Sequence, residues 1–372
     1  MRIMIDATSL LVPSAGMRTY MYYWIRSLQC SAIQDSIRLF PFFGGIRGLQ
    51  HESSSVGRRR TTLGSLIVHF SNIKWNPVLE LAGCAADVFH SSQHLRNPPH
   101  LATQLTATIY DMTCWLMPEV HVPANVAVTR RYGERVLRRA TACIAISEQS
   151  KKDAIEILKL PADRIEVIYP GVAEKFFTVE RPEAQAVAKR YRLDKPYLLY
   201  VGMIEPRKNI DRLLDAYRSI CEPVRKAHEL VIAGPLGWCS KATRDRLRAP
   251  EPGIRYLGYV SEDDLPGLTA GATAFVFPSL YEGFGLPLVQ AMACGVPAIT
   301  SRGSSLGEVA GEDAILVDPR NTDAIAAAIE RLALSPSLRE DLGQRGRVRA
   351  ASFRWERNAQ QSLAFFHKFA SC

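Results

Sequence analysis

The chain has 372 residues, 47% of them hydrophobic, and carries 46 Lys and Arg against 37 Asp and Glu for a formal net charge of +9. That length exceeds what one hydrophobic core usually organises and predicts two domains, while no apolar run reaches the roughly 20 residues that span a bilayer. The positive excess is spread, 20 cations against 15 anions in residues 1–180 and 26 against 22 in the rest, which excludes the dense basic stripe of a nucleic-acid binder and suits anionic small molecules or an acidic membrane surface.

Short apolar runs alternate with amphipathic stretches from end to end, the pattern of parallel sheets covered by helices on both faces. In the first half, strands are expected at 2–5, 37–42, 65–70, 87–90, 105–109 and 142–146. Asp6 interrupts the N-terminal stretch before any signal-type core develops, so the protein is expected in the cytoplasm, with peripheral contact at the inner membrane face as an extension. Ser14-Ala15-Gly16-Met17 is a candidate glycine turn ahead of a helix whose Met17, Tyr20, Met21, Trp24, Ile25 and Leu28 share one face, a stripe that reads as core ahead of binding surface. Residues 44–64, glycine-rich and containing Arg58, Arg59 and Arg60, read as a polar loop, either solvated or a clamp on an anionic acceptor or lipid head groups. His90 and Asp111 each fall at a strand end; a carboxylate there orients or deprotonates a hydroxyl, or simply caps a turn. Arg130, Arg131, Arg135, Arg138 and Arg139 lie on one expected helix, as a solvated face or a contact for anionic lipid.

Residues 169–196 begin Pro170-Gly171, carry charge and contain no strand, and are read as the linker. The expected domains are 1–175, with a C-terminal helix in 354–372 packing back on it, and 176–353. Strands of the second domain are expected at 197–201, 229–233, 254–257, 274–277, 298–300 and 314–317, and ligands at the carboxyl ends of such strands. Eight cysteines without a CxxC pair read as packed, reduced thiols. Asp263-Asp264 sits at a helix start and reads as a cap rather than a metal ligand.

Two loops of the second half carry chemistry. Residues 278–290 read Pro-Ser-Leu-Tyr-Glu-Gly-Phe-Gly-Leu-Pro-Leu-Val-Gln, placing Glu282 beside Gly283 and Gly285 where a strand passes into a helix. The glycines let backbone N–H groups approach a ligand, and the helix opening is an anion site; a carboxylate next to it can accept hydrogen bonds from sugar hydroxyls. The same sequence also suits an ordinary strand-to-helix turn. Residues 202–209 read Gly-Met-Ile-Glu-Pro-Arg-Lys-Asn, and Arg207 and Lys208 together can neutralise a diphosphate, although a Lys-Asn pair opening a surface helix is common. No carboxylate pair of the kind that holds magnesium accompanies them, so no metal and no cofactor beyond the substrate is expected.

The second half resembles the retaining glycosyltransferases of family 4, of the GT-B fold. The resemblance rests on Tyr-Val-Gly-Met-Ile-Glu-Pro-Arg-Lys-Asn-Ile (200–210), Gly-Tyr-Val-Ser (258–261) and Phe-Pro-Ser-Leu-Tyr-Glu-Gly-Phe-Gly-Leu-Pro-Leu-Val-Gln-Ala-Met-Ala-Cys-Gly-Val-Pro (277–297). The first half matches through Asp111, Ala145-Ile-Ser-Glu148 and Tyr169-Pro-Gly-Val172. The resemblance implies an α/β fold of two doubly wound Rossmann-like domains facing an interdomain cleft. It implies Arg207 and Lys208 on the diphosphate of a nucleotide sugar, and Glu282 with the backbone of Gly283, Phe284, Gly285 and Leu286 on the donor sugar. It further implies Val260 against the base, Gly16 under the diphosphate and Asp111 toward the acceptor; His90, at a strand end like Asp111, is read from its position as a cleft residue touching the acceptor or the donor sugar. Relatives carry a second Glu where this chain has Gln290, which implies altered contact with the ribose, and His-Asp where it has Tyr110-Asp111.

The implied reaction is transfer of a hexose, with mannose from GDP-mannose favoured over a UDP-hexose, to a hydroxyl of a saccharide or lipid-linked saccharide in polysaccharide or glycolipid assembly. Arg207, Lys208, Glu282 and Asp111 are the residues expected to act. The alternatives are a nucleotide-sugar-binding protein without turnover and a sugar-nucleotide epimerase on the same fold. A nicotinamide dehydrogenase is disfavoured because residues 2–5 run into Asp6-Ala-Thr-Ser instead of a GxGxxG turn.

Overall fold

The structure, a computed structural model, describes residues 1–11, 15–42, 58–73, 76–93, 95, 97–100 and 104–370. The chain divides into two compact units, Met1–Gly171 with Arg354–Cys372, and Val172–Phe353.

The first unit is built on six strands, β1 (Arg2–Asp6), β2 (Ser36–Phe40), β3 (Val88–Ser91), β4 (Gln104–Ile109), β5 (Ala142–Ala145) and β6 (Ile165–Val167), in the order β2-β1-β3-β4-β5-β6. Every adjacent pair is parallel. The helix Ala15–Ser31 lays Tyr20, Met21, Trp24, Ile25 and Leu28 into the core, so its apolar stripe is packing surface. It packs against the C-terminal helix Trp355–Ala370, where the Trp24 indole N–H donates to Ser362 Oγ at 3.0 Å and Tyr23 stacks on Trp355. Asn358 Nδ2 donates to the Tyr169 carbonyl at 2.7 Å, fixing the same helix to the end of the unit. Gly171 lies so close to it that a Cβ would stand 2.2 Å from Trp355 N.

The second unit has β7 (Tyr197–Val201), β8 (Glu229–Ala233), β9 (Ile254–Gly258), β10 (Ala274–Phe277), β11 (Ala298–Ser301) and β12 (Ile315–Val317), in the order β12-β11-β10-β7-β8-β9 and again parallel throughout. Taken from β9, the order is 3-2-1-4-5-6, the doubly wound arrangement of nucleotide-binding sheets. Both expected α/β sheets are therefore present.

Three local expectations change. Residues 65–70, expected as a strand, belong to the helix Arg58–Ser71, because Leu63, Leu66, Ile67 and Phe70 recur at three- and four-residue spacing. That helix also takes up residues 58–64 of the expected loop; residues 43–57 lie outside the described residues. Residues 169–196 are not a bare linker: the helices Lys175–Thr178 and Arg181–Arg190 bury Phe176, Phe177, Ala184 and Val187 within the second unit. β6 was hidden in Ile-Glu-Val, a run too short to show a period.

The strand order of the first unit reverses between β1 and β3, and Asp6 closes that gap from the end of β1. Its Oδ1 accepts from Thr8 N at 3.0 Å and Thr8 Oγ1 at 2.6 Å, and its Oδ2 from Ser92 N at 3.0 Å. Burial pushes the carboxyl up to about 6 despite those hydrogen bonds. A carboxyl raised on folding stabilises fully below its unfolded value and loses that contribution as pH rises through the folded one. Asp6→Asn removes the effect. The stability advantage of wild type over the variant, measured by urea unfolding, is expected to shrink by about 2 kcal/mol between about pH 4 and pH 7; a constant difference across that range contradicts the assignment.

Candidate functional site

In doubly wound sheets ligands are received outside the carboxyl ends of the strands where the strand order reverses. In the second unit that point lies between β7 and β10, and the loops leaving these two strands carry Arg207, Lys208 and Glu282. The β7 loop turns through the short 3₁₀ segment Pro206–Lys208 into Asn209, which is left-handed at φ 62° and starts the helix Ile210–Ser219. Asn209 Nδ2 donates to the carbonyls of Pro278 at 2.9 Å and Pro319 at 2.7 Å, and Leu280 N donates to the Arg207 carbonyl at 2.8 Å. The two loops are thus tied through the Asn209 side chain and the Leu280 backbone N–H, and their charged side chains meet.

Glu282 is 6% exposed and stands between two cations. Its Oε2 accepts from Arg207 Nη1 at 2.8 Å and its Oε1 from Lys208 Nζ at 2.6 Å. Arg207 donates through Nη1 also to the Tyr281 carbonyl at 2.5 Å and through Nη2 to Glu205 Oε1 at 2.5 Å. The Lys208 ammonium lies 5.0 Å from the centre of the Phe277 ring, on its π-face. Burial works most strongly against ionised Glu282, but the combined attraction and hydrogen bonding of Arg207 and Lys208 prevail and hold its carboxyl down to about 2. Two carboxylates and two cations make a buried cluster whose formal charges cancel.

The backbone beside Glu282 is equally constrained. Gly285 has φ +99°, and a Cβ there would meet Leu306 Cδ2 at 2.5 Å, so both conformation and space require glycine. It opens the helix Leu286–Ala293, whose N-terminus has no side-chain cap. That leaves a positive helix end next to the cluster, suited to an anion. The Glu282 amide donates to Ser304 Oγ at 3.3 Å and Ser305 Oγ donates to the Glu282 carbonyl at 2.8 Å, locking the loop from the helix Ser304–Ala310.

Of the residues singled out from sequence, Arg207, Lys208, Glu282, Gly283, Phe284, Gly285 and Leu286 come together at this point. Phe284 turns inward, edge-on to Phe353, so only its backbone is available there. Gln290 is buried one turn beyond Leu286, and Val260 follows the carboxyl end of β9 on the same side of the sheet. Glu205 and Asn209 carry no separate weight in the sequence reading; their signal was the Glu-Pro-Arg-Lys-Asn string, which places a carboxylate two residues before the arginine it orients. Asp264 does not cap its helix: it pairs with Arg190 and accepts from the Tyr191 hydroxyl at 3.0 Å.

In the first unit the candidates fare differently. His90 is fully buried, and its ring nitrogens lie 2.9 Å from Thr106 Oγ1 and 2.8 Å from Thr108 Oγ1. The ring sits between Trp24 and Phe366, and burial lowers its pKa to about 3. It is a neutral core residue, and its expected place at an acceptor is corrected. Asp111 is half-buried after β4; its Oδ1 accepts from Thr113 N at 2.9 Å and Thr113 Oγ1 at 2.5 Å, holding the turn into the next helix. Gly16 is the second residue of the helix Ala15–Ser31 rather than part of a turn, and a Cβ there would meet nothing within 4 Å; Ser14 lies outside the described residues.

Residues 183–349 match the family described as glycosyl transferases group 1, and residues 85–176 match glycosyltransferase family 4. The O-antigen chain mannosyltransferase B of Escherichia coli is 35% identical over 274 residues, 71% of this chain and 70% of that protein. Among solved structures, Anabaena HepE in complex with UDP and glucose superposes with a TM-score of 0.73 at 17% identity, covering 99% of this chain and all of that one. The sucrose-phosphate synthase of Thermosynechococcus elongatus does so with a TM-score of 0.74 at 20% identity over the full length of both. With the doubly wound sheets and the charged switch point already in place, these matches make the chain a member of glycosyltransferase family 4, with the GT-B fold.

Proposed function

We propose that the chain transfers mannose, with retention at the anomeric carbon, from GDP-mannose to a hydroxyl of a saccharide or lipid-linked saccharide. The observation that carries the donor assignment is the Arg207–Lys208–Glu282 cluster beside the uncapped helix opening at Gly285. In this reading a diphosphate replaces Glu282 as the partner of Arg207 and Lys208, and the released carboxylate accepts hydrogen bonds from the hexose hydroxyls. As the sugar–phosphate bond breaks, negative charge grows on the leaving diphosphate. The guanidinium and the ammonium, turned from Glu282 to the diphosphate, together with the Leu286 N–H, stabilise that charge and lower the barrier without a metal. The leaving phosphate assists removal of the acceptor proton on the same face, so no side chain forms a covalent bond to the sugar.

Gln290 is assigned to the ribose diol through its amide, and Val260 to the edge of the base. Gly16 and Asp111, through its second carboxylate oxygen, are assigned to the diphosphate and the acceptor respectively. The preference for mannose is supported by the 35% identity to an O-antigen chain mannosyltransferase; the nucleoside diphosphate is supported by the UDP and glucose bound in a protein of the same fold. A polymer or glycolipid assembled at the inner membrane face is the corresponding setting, and no helix among the described residues is long and apolar enough to cross a membrane.

A panel of GDP- and UDP-sugars read by thermal shift, with product analysis by NMR, tests this reading. GDP-mannose is expected to raise the melting temperature, and Arg207→Ala to abolish the shift and reduce transfer by at least about a hundredfold. A shift without transfer to any acceptor would support a binding protein, and an altered donor sugar without acceptor would support an epimerase. Transfer unaffected by Arg207→Ala would overturn the site.

Glu282→Ala leaves two buried cations facing one carboxylate and is expected to cost about 3–5 kcal/mol of unfolding free energy. Because folding lowers this carboxyl to about 2, its contribution is present in full above the unfolded value and fades only as pH falls toward the folded one. The loss should therefore be the same at about pH 6 and pH 8 and shrink below about pH 4; a loss that grows on acidification would contradict the ion pairing.

A further inference from the structure

Beyond the turn that Asp111 holds, the loop leaving β4 brings a third side chain into line. Thr113 opens the short helix Thr113–Leu116, and His121 stands between the 3₁₀ turn Pro118–Val120 and the helix Pro123–Tyr132. An ordinary turn needs only Asp111 Oδ1 on the Thr113 N–H. Here Thr113 Oγ1 also donates to Oδ1 at 2.5 Å, and His121 Nε2 lies 2.9 Å from Thr113 Oγ1. A hydroxyl has one proton to give and a carboxylate can only accept, so the Thr113 proton lies toward Asp111 and Thr113 accepts from His121. Neutral His121 is thereby held as the tautomer with its proton on Nε2 and a lone pair on Nδ1.

Thr113 is 1% exposed, whereas Asp111 and His121 are half-buried, so a buried threonine joins two side chains that reach solvent. The loop is fixed from its other side as well. Arg130, on the helix Pro123–Tyr132, donates through Nε to the Cys114 carbonyl at 3.1 Å, and the Tyr132 hydroxyl donates to the carbonyls of Ser91 at 3.1 Å and Thr108 at 3.3 Å. That helix runs into a π turn at Gly133–Leu137, where a Cβ on Gly133 would stand 2.7 Å from the Trp115 ring. Such turns cost helix geometry and recur beside functional sites.

Two hydrogen-bond acceptors therefore stand at the carboxyl end of β4, the side on which parallel sheets receive ligands. One is His121 Nδ1; the other is Asp111 Oδ2, which accepts from none of the described residues. A carboxylate oxygen and an imidazole lone pair repel an anion and attract a hydrogen-bond donor, which selects hydroxyls over phosphate. Among the described residues no three His, Cys, Asp or Glu side chains converge as a metal site needs.

We propose that His121 belongs to the acceptor site: its Nδ1 accepts a hydrogen bond from one hydroxyl of the acceptor saccharide while Asp111 Oδ2 accepts from a neighbouring one. Thr113 is the positioning residue that fixes the imidazole. The proposal rests on the transferase reading above and adds the residue that selects the acceptor; the donor cluster belongs to the other unit and is read separately.

The affinity for methyl α-D-mannopyranoside is measured by saturation-transfer NMR in the presence of GDP, and its use as acceptor of GDP-mannose in parallel. Wild type is compared with His121→Asn, His121→Gln, Thr113→Val and Thr113→Ser, with circular-dichroism melting as control. Asparagine places an oxygen near the Nδ1 position without reaching Thr113, whereas glutamine reaches Thr113 and leaves the Nδ1 position empty. Mannoside affinity is expected to fall about tenfold in His121→Gln and at most about threefold in His121→Asn, with the KM for GDP-mannose unchanged in both. Thr113→Val should weaken the mannoside about threefold, and Thr113→Ser should restore it. Should Thr113→Val melt early, the His121 pair, at a half-exposed position, provides the same test. Asparagine losing as much as glutamine overturns the proposal, since the contact with Thr113 rather than Nδ1 would then be at work. So does wild-type affinity in His121→Gln, or a wild type that gives no mannoside signal. Mannoside binding without transfer from GDP-mannose would count against the donor site alone.

Discussion

The structure of the second unit depends on a buried exchange of charge. Arg207 and Lys208 leave one strand of the sheet, Glu282 leaves its neighbour, and the carboxylate satisfies both cations at 2.8 and 2.6 Å. Four ionised groups with little access to water are tolerable only because their charges cancel and each finds a hydrogen-bond partner. The tie from the Asn209 side chain, the backbone bond from Leu280 and the glycine forced at position 285 lie within the same two loops and hold them at the separation this exchange needs. A site neutral in itself and next to a positive helix end is suited to a ligand that brings its own negative charge and offers hydroxyls in return.

The first unit uses the corresponding place in its sheet differently. There the reversal of strand order is filled by Asp6, Thr8 and Ser92, which close the ends of β1 and β3 on each other. Below them His90 is held between threonines and aromatic rings. Two differently ordered parallel sheets thus carry a buried cluster of four charges at one reversal and a single carboxyl among hydroxyl and amide groups at the other. The difference lies in the partners: Asp6 meets hydroxyl and amide donors, whereas Glu282 meets two cations.

Much of this was legible in the sequence because buried parallel strands are continuous apolar runs between turn residues, and eleven of the twelve strands carry enough of that signal. The helix at Arg58–Ser71 was misread because Leu66-Ile67-Val68 is a continuous apolar run like that of a buried strand, and only the three- and four-residue spacing of Leu63, Leu66 and Phe70 tells it apart. Arg207, Lys208 and Glu282 were legible as a set because their loops are distinctive strings, although 75 residues separate Arg207 from Glu282. His90 was not, since a histidine at a strand end reads the same whether it faces a ligand or two threonines. Glu205 escaped notice because its role is to orient another side chain, which only coordinates reveal.

Whether Glu282 truly competes with a diphosphate for Arg207 and Lys208 can be measured by calorimetric titration of GDP, which lacks the sugar, into wild type and Glu282→Gln. The neutral amide removes the internal competitor while nothing that Glu282 would give the ligand is lost, so the variant should bind GDP about tenfold more tightly than wild type. Equal or weaker binding by a folded Glu282→Gln would contradict the account.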